Sequence, residues 1–349
     1  MEGDADRVKV LARLGDMLDS IEESKVTLIG DVMLDRFHHG YANNLDSTAP
    51  VPVLKIMRTE ETPGAAAHIA MGLRSLGMQV SLHCCVGDDR EGSTIVSKLA
   101  EHEIATEGIH SVPNRNTLTK IRFYGSRESL LDESQILLQA DRGPRDPLPE
   151  EVRKSVAEGA INEISESNAI VLSDYDKGVL DTETSLMLIS IAKKAGLPVI
   201  VDPKLTGLDR SAGADVVLFE NRGLNLLSRR QGSSDQSSTA SNLISQYGWG
   251  ALLVLRGTEG VTLYRDGEEP SHIPCLSPSA VQQIGLHDAA ATALAAALGN
   301  GLSMVEAATL AAAACDCILA AEASREFVDK QTLRLWIDEL SWQLRISDR

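Results

Sequence analysis

Aromatic residues and cysteines are scarce in this chain, and each scarcity excludes a class of protein. Phe, Trp and Tyr make up 3% of the 349 residues, which argues against an aromatic stacking platform for single-stranded nucleic acid. The five cysteines are too few, and odd in number, for a disulfide scaffold. They also lack the paired spacing of a zinc site. We therefore interpret them as buried free thiols of a protein in a reducing compartment.

Positive charge is scarce as well: 33 Lys and Arg stand against 50 Asp and Glu, for a net charge of −17. This balance argues against binding to bulk nucleic acid or an anionic membrane, because both are polyanions. It permits a single small phosphorylated ligand, which needs only local donors. The sequence has no apolar run of about 18 residues, and its charged N-terminus lacks the apolar segment of a signal peptide. We expect a cytoplasmic protein.

Short apolar runs alternate with amphipathic stretches along most of the chain. This alternation predicts an α/β fold with a mostly parallel sheet covered by helices on both faces. Two β-rich stretches, about 36–60 and 117–140, interrupt the pattern. We predict strands at 26–29, 78–86, 169–172, 198–201, 215–218, 251–255 and, as a hairpin, 260–274. We predict helices at 5–22, 64–76, 93–100, 150–165, 182–195, from about 221, 238–247, 288–299, 303–321 and 329–344.

Polar residues directly follow five of the predicted strands. Because the carboxyl ends of parallel strands meet at one edge of a sheet, we expect these residues to form one rim, where ligands bind in such folds. The rim residues are Gly30-Asp31, Ser173-Asp174, Asp202-Pro203-Lys204, Asn221 and Arg256-Gly257.

Two early motifs have the chemistry of sugar recognition. Asp31 and Asp35 are carboxylates four residues apart, and an ionised carboxylate accepts hydrogen bonds from paired hydroxyls; a turn with a capping Asp explains them too. Gly64 and the alanines before His68 open a helix with small residues. They allow either a close approach of the backbone to a ligand or tight packing of the helix.

Two later motifs have the chemistry of phosphate transfer. Lys177 and Lys204 each lie beside an acidic residue after a strand, where a lysine can meet phosphate as a point charge or form a weak surface ion pair. Asp288 precedes an Ala-rich helix. An Asp at a helix N-terminus can accept a hydroxyl proton while free N–H groups hold the developing phosphate charge. It can also serve only as a cap.

Together these motifs resemble the PfkB/ribokinase family of sugar kinases. Within that family the chain is most similar to the kinase domain that phosphorylates D-glycero-D-manno-heptose 7-phosphate, on the route to ADP-heptose. The similarity covers about residues 24–325, with a helical extension at 1–23 and a C-terminal helix at 326–349. Its most specific pieces are residues 29–36, 49–53, 61–68, 172–178 and 201–204.

The resemblance implies a ribokinase-like fold with a small β lid formed by about 36–60 and 117–140, a homodimer through that lid, and ATP with Mg²⁺. It implies a catalytic group in which Asp288 is the base, with Gly285 and His287 beside it, and it implies no protein ligand to a metal. The implied substrate-binding residues are Asp31, Asp35, Gly64, His68, Lys120, Arg122, Asp174 and Lys177. The implied nucleotide-binding residues are Lys204, Asn221, Arg256, Gly257 and Gly260.

The chain also departs from the family pattern at the phosphate end. The family's Asn-x-x-Glu becomes Asn221-x-x-Leu224, which removes a carboxylate. Gln282 and Ile284 remove a second carboxylate and a hydroxyl. His287 replaces the glycine before the base, where a Cβ would crowd the phosphate and limit φ; alternatively, its imidazolium would replace lost electrostatics.

Two interpretations of function follow. The first is an ATP-dependent kinase of a sugar or sugar phosphate, of the heptose 7-phosphate type, in which Asp288 deprotonates the attacking hydroxyl. The second is a catalytically inactive kinase fold that acts as a ligand-binding or dimeric scaffold. We favour the first, because the base and the substrate-side motifs are present.

Overall fold

The computed structural model describes residues 4–126, 134–233, 235–277, 284–321 and 327–347. Within these ranges the chain forms thirteen strands and ten α-helices. The strands are β1 (Lys25–Gly30), β2 (Val32–Leu45), β3 (Pro52–Ala65), β4 (Gln79–Gly87), β5 (Ile109–Val112), β6 (Thr119–Ser126), β7 (Gln135–Arg142), β8 (Ala169–Asp174), β9 (Val199–Pro203), β10 (Val216–Glu220), β11 (Leu252–Leu255), β12 (Val261–Tyr264) and β13 (Ser271–Ile273). The helices are α1 (Asp4–Asp19), α2 (Ala66–Ser75), α3 (Arg90–Glu101), α4 (Glu150–Ile164), α5 (Thr182–Lys194), α6 (Asn221–Arg230), α7 (Gln236–Tyr247), α8 (Leu286–Gly299), α9 (Met304–Ala320) and α10 (Lys330–Ser347).

Nine strands form the main sheet, in the order β13-β12-β11-β10-β9-β8-β1-β4-β5. The seven strands from β11 to β5 pair in parallel, and β12 and β13 add an antiparallel edge. Their apolar runs are buried on both faces, as parallel strands require. The predicted α/β architecture is confirmed.

Helices cover both faces of this sheet and form two apolar cores. One core joins the sheet to α2, α8 and α9, with α1 and α10 packed outside them. The other joins the sheet to α4, α5, α6 and α7. Since α8 and α9 present mostly Ala side chains, the two helices lie close together, and small side chains make up much of this core. No helix in the described ranges combines the length and the hydropathy that a bilayer crossing needs.

A second, four-stranded sheet has the order β3-β2-β6-β7, and we call it the lid. The lid strand β2 begins at Val32, immediately after β1, whereas the sequence placed the start of the lid near residue 36. β3 continues to Ala65, so the helix expected at 64–76 begins two residues later. Several large apolar side chains of the lid are exposed: Leu45, Val51, Val53, Ile56, Met57, Ile136, Leu137 and Leu138.

Two further differences concern α3 and β5. Helix α3 begins at Arg90, earlier than the expected residue 93, because the Asp89 side chain caps it by accepting the Gly92 N–H at 2.9 Å. The four-residue strand β5 was not expected. It extends the sheet edge by pairing with β4. The four residues carry no local pattern that predicts this non-local pairing.

Candidate active site

The polar residues after the parallel strands lie along one edge of the main sheet. Asp31 follows β1, Asp174 ends β8 and Asp202 lies in β9. Asn221 begins α6 directly after β10, and Arg256 follows β11. These five strands are parallel neighbours, so their carboxyl ends form the expected rim. Helix α8 packs against three of them, β8, β9 and β10.

Asp288 lies in the first turn of α8 beside a histidine from another helix. His68, in α2, places its Nδ1 3.1 Å from Asp288 Oδ2. The other oxygen of Asp288, Oδ1, is buried without a hydrogen-bond partner among the described residues. Gly285 precedes the helix with φ +94°, and a Cβ there would lie 3.3 Å from the His68 ring. One carboxylate oxygen therefore contacts His68 and the other is available to a ligand.

His287 contacts two carboxylates with its two ring nitrogens. Nδ1 lies 2.8 Å from Asp202 Oδ1, and Nε2 lies 3.5 Å from Glu220 Oε1. The expectation that a side chain at this position would limit φ is wrong, because His287 has helical backbone and the positive φ falls on Gly285. Gln282 lies outside the described residues, and Ile284 lies in the turn before α8.

Asp35 and Arg122 form a buried ion pair between the lid strands β2 and β6. Arg122 Nη1 lies 2.6 Å from Asp35 Oδ1. A Cβ at Gly64 would collide with the Asp35 carboxylate, so glycine is required where β3 crosses this pair. The carboxylate lies where the lid meets the rim, because Asp35 is only four residues beyond Asp31.

Two lysines approach the ring of Tyr175 from different parts of the fold. Lys204 Nζ, after β9, is 3.9 Å from the ring centroid, and Lys120 Nζ, on β6, is 5.5 Å away. Neither lysine forms an ion pair within the described ranges. Burial lowers the pKa of Lys120, and the positive charges of Arg122 and Lys204 lower it further. The negative charge of Asp35 raises this pKa but does not outweigh them. Positive charge thus gathers at one point of a strongly acidic protein.

The Asp31 carboxylate is occupied by the backbone of a neighbouring loop. Its oxygens accept the N–H groups of Tyr175, Lys177 and Val179 at 3.0–3.2 Å. Burial raises the pKa of Asp31, and these three hydrogen bonds oppose that rise. Asp31 therefore holds the loop that carries Tyr175, while the Lys177 side chain is exposed.

Asp174 has a similar internal role. Arg210 Nε lies 2.9 Å from its Oδ2, and its Oδ1 accepts the Asp176 N–H at 2.9 Å. Burial raises the pKa of Asp174 to about 6, although the hydrogen bond from Asp176 and the charge of Arg210 oppose the shift. In this structure the side chain stabilises the turn after β8.

Arg256 organises the opposite end of the rim with neutral partners. Its guanidinium donates to the side chains of Asn221, Gln236, Thr262 and Tyr264 at 2.6–3.1 Å. None of these acceptors is a carboxylate, so the positive charge of Arg256 is not cancelled by them.

Gly257 and Gly260 form the turn next to this arginine, with φ of +60° and +98°. A Cβ at Gly260 would collide with the Ile273 carbonyl, so glycine is required there for space as well as for φ.

Apart from Asp288, the polar side chains around α8 are not free to hold a Mg²⁺ ion on the protein. Mg²⁺ prefers one or two free carboxylates together with phosphate oxygens. Asp202 and Glu220 are engaged by His287, the Asn221 amide oxygen is engaged by Gln236 and Arg256, and Leu224 supplies no ligand. In the part of the chain that is described, no cluster of three acidic, His or Cys side chains is suited to a metal ion.

Sequence reasoning missed two residues that shape this rim. Tyr175 gave a weak signal, as one of five tyrosines in the chain, placed between two rim residues. Arg210 gave none, because its partner lies far away in sequence. Glu220, which the sequence places just before Asn221 and which was expected to point elsewhere, instead contacts His287. Burial raises the pKa of Tyr175, as do the nearby charges of Asp288 and Asp202, which is consistent with a central position.

The class of protein follows from this geometry: a mostly parallel α/β sheet with a β lid, and a buried carboxylate at the start of a helix over the sheet edge. A family model described as pfkB family carbohydrate kinase matches residues 23–331. The chain belongs to the pfkB family of carbohydrate kinases, a family of phosphotransferases.

Curated relatives are similar over most of the chain. The bifunctional protein HldE of Paramagnetospirillum magneticum is 34% identical over 303 residues, which is 86% of this chain and 61% of that protein. HldE of Salmonella dublin is 34% identical over 305 residues with the same coverage. The chain thus spans about three fifths of the length of these relatives.

Solved structures share the fold. Phosphofructokinase-2 from Escherichia coli superposes with a TM-score of 0.73 at 18% identity, over 91% of this chain and 99% of that one. Ribokinase from Arabidopsis thaliana, solved with ribose and ATP, gives a TM-score of 0.67 at 17% identity, over 90% and 98%. The fold is ribokinase-like.

Proposed function

We propose that this protein transfers the terminal phosphoryl group of ATP to a hydroxyl of a sugar that already carries a phosphate, of the heptose 7-phosphate type. The observation that carries the proposal is the Asp288 carboxylate in the first turn of α8. One of its oxygens contacts His68, and the other is buried without a partner among the described residues.

This carboxylate has the properties of a general base. Its free oxygen can accept the proton of an attacking hydroxyl, while His68 keeps the other oxygen in place. The first N–H groups of α8 lack intrahelical acceptors, and the contacts of His287 place this end of the helix at the rim. They stabilise negative charge on a transferring phosphoryl group, which is the main task of the protein in such reactions.

The two lysines at Tyr175 support a substrate that already bears a phosphate. Lys120 and Lys204 converge without a carboxylate partner in the described ranges. Lys120 is half-buried and Lys204 is exposed, so an anion at this point would meet two positive charges that an ion pair does not already use. The buried pair of Asp35 and Arg122 next to them offers acceptors and donors to sugar hydroxyls.

Arg256 and the glycine turn beside it support the nucleotide end of the proposal. The guanidinium keeps its charge among neutral partners, which favours a polyphosphate. We expect Mg²⁺ to arrive bound to the nucleotide phosphates rather than to a protein cage.

Heptose as the substrate class is supported by the 34% identity with HldE proteins and by the motifs that resemble heptose 7-phosphate kinases.

A homodimer through the lid is supported by the exposed apolar side chains of the lid. Light scattering that finds only monomer at micromolar concentration would refute the homodimer. The five free thiols support a cytoplasmic location. The alternative, an inactive scaffold, has no observation of its own in its favour.

The test is mass spectrometry of the products formed from ATP, Mg²⁺ and matched pairs of sugars with and without a phosphate group, heptose 7-phosphate included. We expect one added phosphoryl group on a phosphorylated sugar only.

Lys120→Gln should raise the KM for that sugar by about tenfold or more, because it removes one charge from the anion site. Lys154→Gln, at an exposed helical ion pair, is the control and should leave KM unchanged. Equal turnover of the unphosphorylated sugar would refute the substrate class.

A further inference from the structure

The histidine before the base is held between two acidic side chains on neighbouring strands. Asp202 lies on β9 and is almost fully buried, whereas Glu220 ends β10 and is largely exposed. The two contacts of 2.8 and 3.5 Å join both strands to the first turn of α8.

This geometry favours a doubly protonated His287. An ionised carboxylate only accepts hydrogen bonds, so the 2.8 Å contact with Asp202 needs a proton on Nδ1. The carboxylate of Glu220, 3.5 Å from Nε2, favours a second proton there. Burial lowers the pKa of His287, but the charge of Asp202 and the hydrogen bonds to Asp202 and Glu220 outweigh burial and raise it to about 10.

The position of the cluster connects it to catalysis. His287 is adjacent in sequence to Asp288 and belongs to the same first turn of α8. Asp202 and Glu220, which could otherwise bind a metal there, both contact the His287 imidazole. The other charged groups near the cluster are Lys204 and Arg222, which act on Glu220, and Tyr175 also lies close to both carboxylates.

We propose that His287 is a positioning residue whose imidazolium clamps the start of α8 to the ends of β9 and β10. The clamp keeps Asp288 and the N–H groups of its turn in the geometry that phosphoryl transfer needs, without a metal held by the protein. The inference rests on the proposed function. Its chemical consequence is that a charged donor at position 287 supports kcat, while substrate affinity is set elsewhere on the rim.

The first experiment separates kcat from KM. His287→Gln removes the charge, and kcat should fall by about tenfold or more with both KM values within about twofold, because a small displacement of a catalytic group is costly. His287→Arg keeps a cation that can reach both carboxylates and should recover part of the loss. His110→Gln, on β5 away from the rim, is the matched control and should match the wild type. An unchanged kcat in His287→Gln overturns the proposal.

A double-mutant cycle tests the partner directly. Glu220→Gln alters an exposed side chain, so the variant should fold. If the clamp acts as a unit, the combined loss in kcat with His287→Gln is smaller than the product of the single losses. Multiplicative losses would mean that the two residues act independently.

The second experiment does not depend on turnover. Nitrogen-15 NMR of the imidazoles at pH 8 should show one histidine with both nitrogens protonated, and this signal should be absent from His287→Gln. A singly protonated His287 in an active enzyme overturns this inference alone. A doubly protonated His287 in an enzyme that phosphorylates no sugar refutes the proposed function, and the positioning role falls with it.

Discussion

At the scale of single residues, His83 shows how strongly the environment decides what a side chain does. It lies on β4 with 6% of its surface exposed, and neither ring nitrogen has a hydrogen-bond partner in the described part of the chain. Burial lowers its pKa to about 4. The folded protein therefore holds this ring neutral in a mildly acidic solution that would charge it in the unfolded chain.

The consequence is a loss of stability in acid. Because the folded-state pKa lies below the ordinary value of about 6.5, the unfolded chain binds the proton first, and the free energy of unfolding falls as pH drops from about 6.5 towards 4. The His83 contribution has a slope of up to about 1.4 kcal/mol per pH unit. His83→Leu should reduce the difference in unfolding free energy between pH 7 and pH 5, measured by urea titration.

His102→Gln is the control for this prediction, because His102 is exposed and its removal should leave the pH dependence intact. An unchanged slope in His83→Leu would show that the buried ring does not carry the effect.

Residue roles at the site were only partly predictable, because the partners that surround each side chain come from distant parts of the sequence. The sequence placed Asp31 on the rim, but the N–H groups that it accepts come from residues 144 to 148 positions later. The same distance problem hid Arg210 beside Asp174 and Glu220 beside His287. Contacts between distant segments form only when the sheet is assembled, and no local sequence pattern predicts them.

At the scale of elements, the passage from β3 to α2 departs most clearly from ordinary backbone geometry. Ala65 has φ +56° and ψ −130°, a region in which only glycine is comfortable. The turn is retained because Val32 pairs with Ala65 in the lid and the Ala66 N–H donates to the Asp31 carbonyl at 3.1 Å.

Ala65→Gly should therefore stabilise the protein by about 1 kcal/mol, since it relieves strain of order 1–3 kcal/mol at some cost in chain entropy. Ala67→Gly, two residues on in the helix, should destabilise it by about 1 kcal/mol, because glycine is unfavourable in a helix interior. Urea denaturation measures both. A loss of stability in Ala65→Gly would mean that the left-handed conformation is not strained.

Element types were easier to predict than their ends. Amphipathic periodicity predicted the helices that cover the main sheet, and apolar runs predicted its strands, because burial against a core sets both patterns. The boundaries of the lid were missed, since β2 continues from the rim without a break and its residues pair with β3 and β6 rather than with the core.

At the scale of the whole molecule, a chain with a net charge of −17 brings three cationic side chains without ion-pair partners in the described ranges to one edge of its sheet. Lys120 comes from the lid, Lys204 from the rim and Arg256 from the far strands. Alternation of strands and helices predicted the sheet that brings them together, and the resemblance in motifs predicted the family. Neither could predict that His287 would engage the rim carboxylates, since that contact requires β9, β10 and α8 to be in place.

The central claim is that this sheet edge catalyses phosphoryl transfer with Asp288 as the base, and one substitution tests it most directly. Asp288→Asn keeps the shape of the side chain and removes its ability to take a proton. Turnover of the sugar phosphate should fall by about 10² or more, and the Tm should stay within a few degrees of the wild type. Asp209→Asn, at an exposed carboxylate, should change neither. Wild-type turnover that is unaffected by Asp288→Asn would contradict the account.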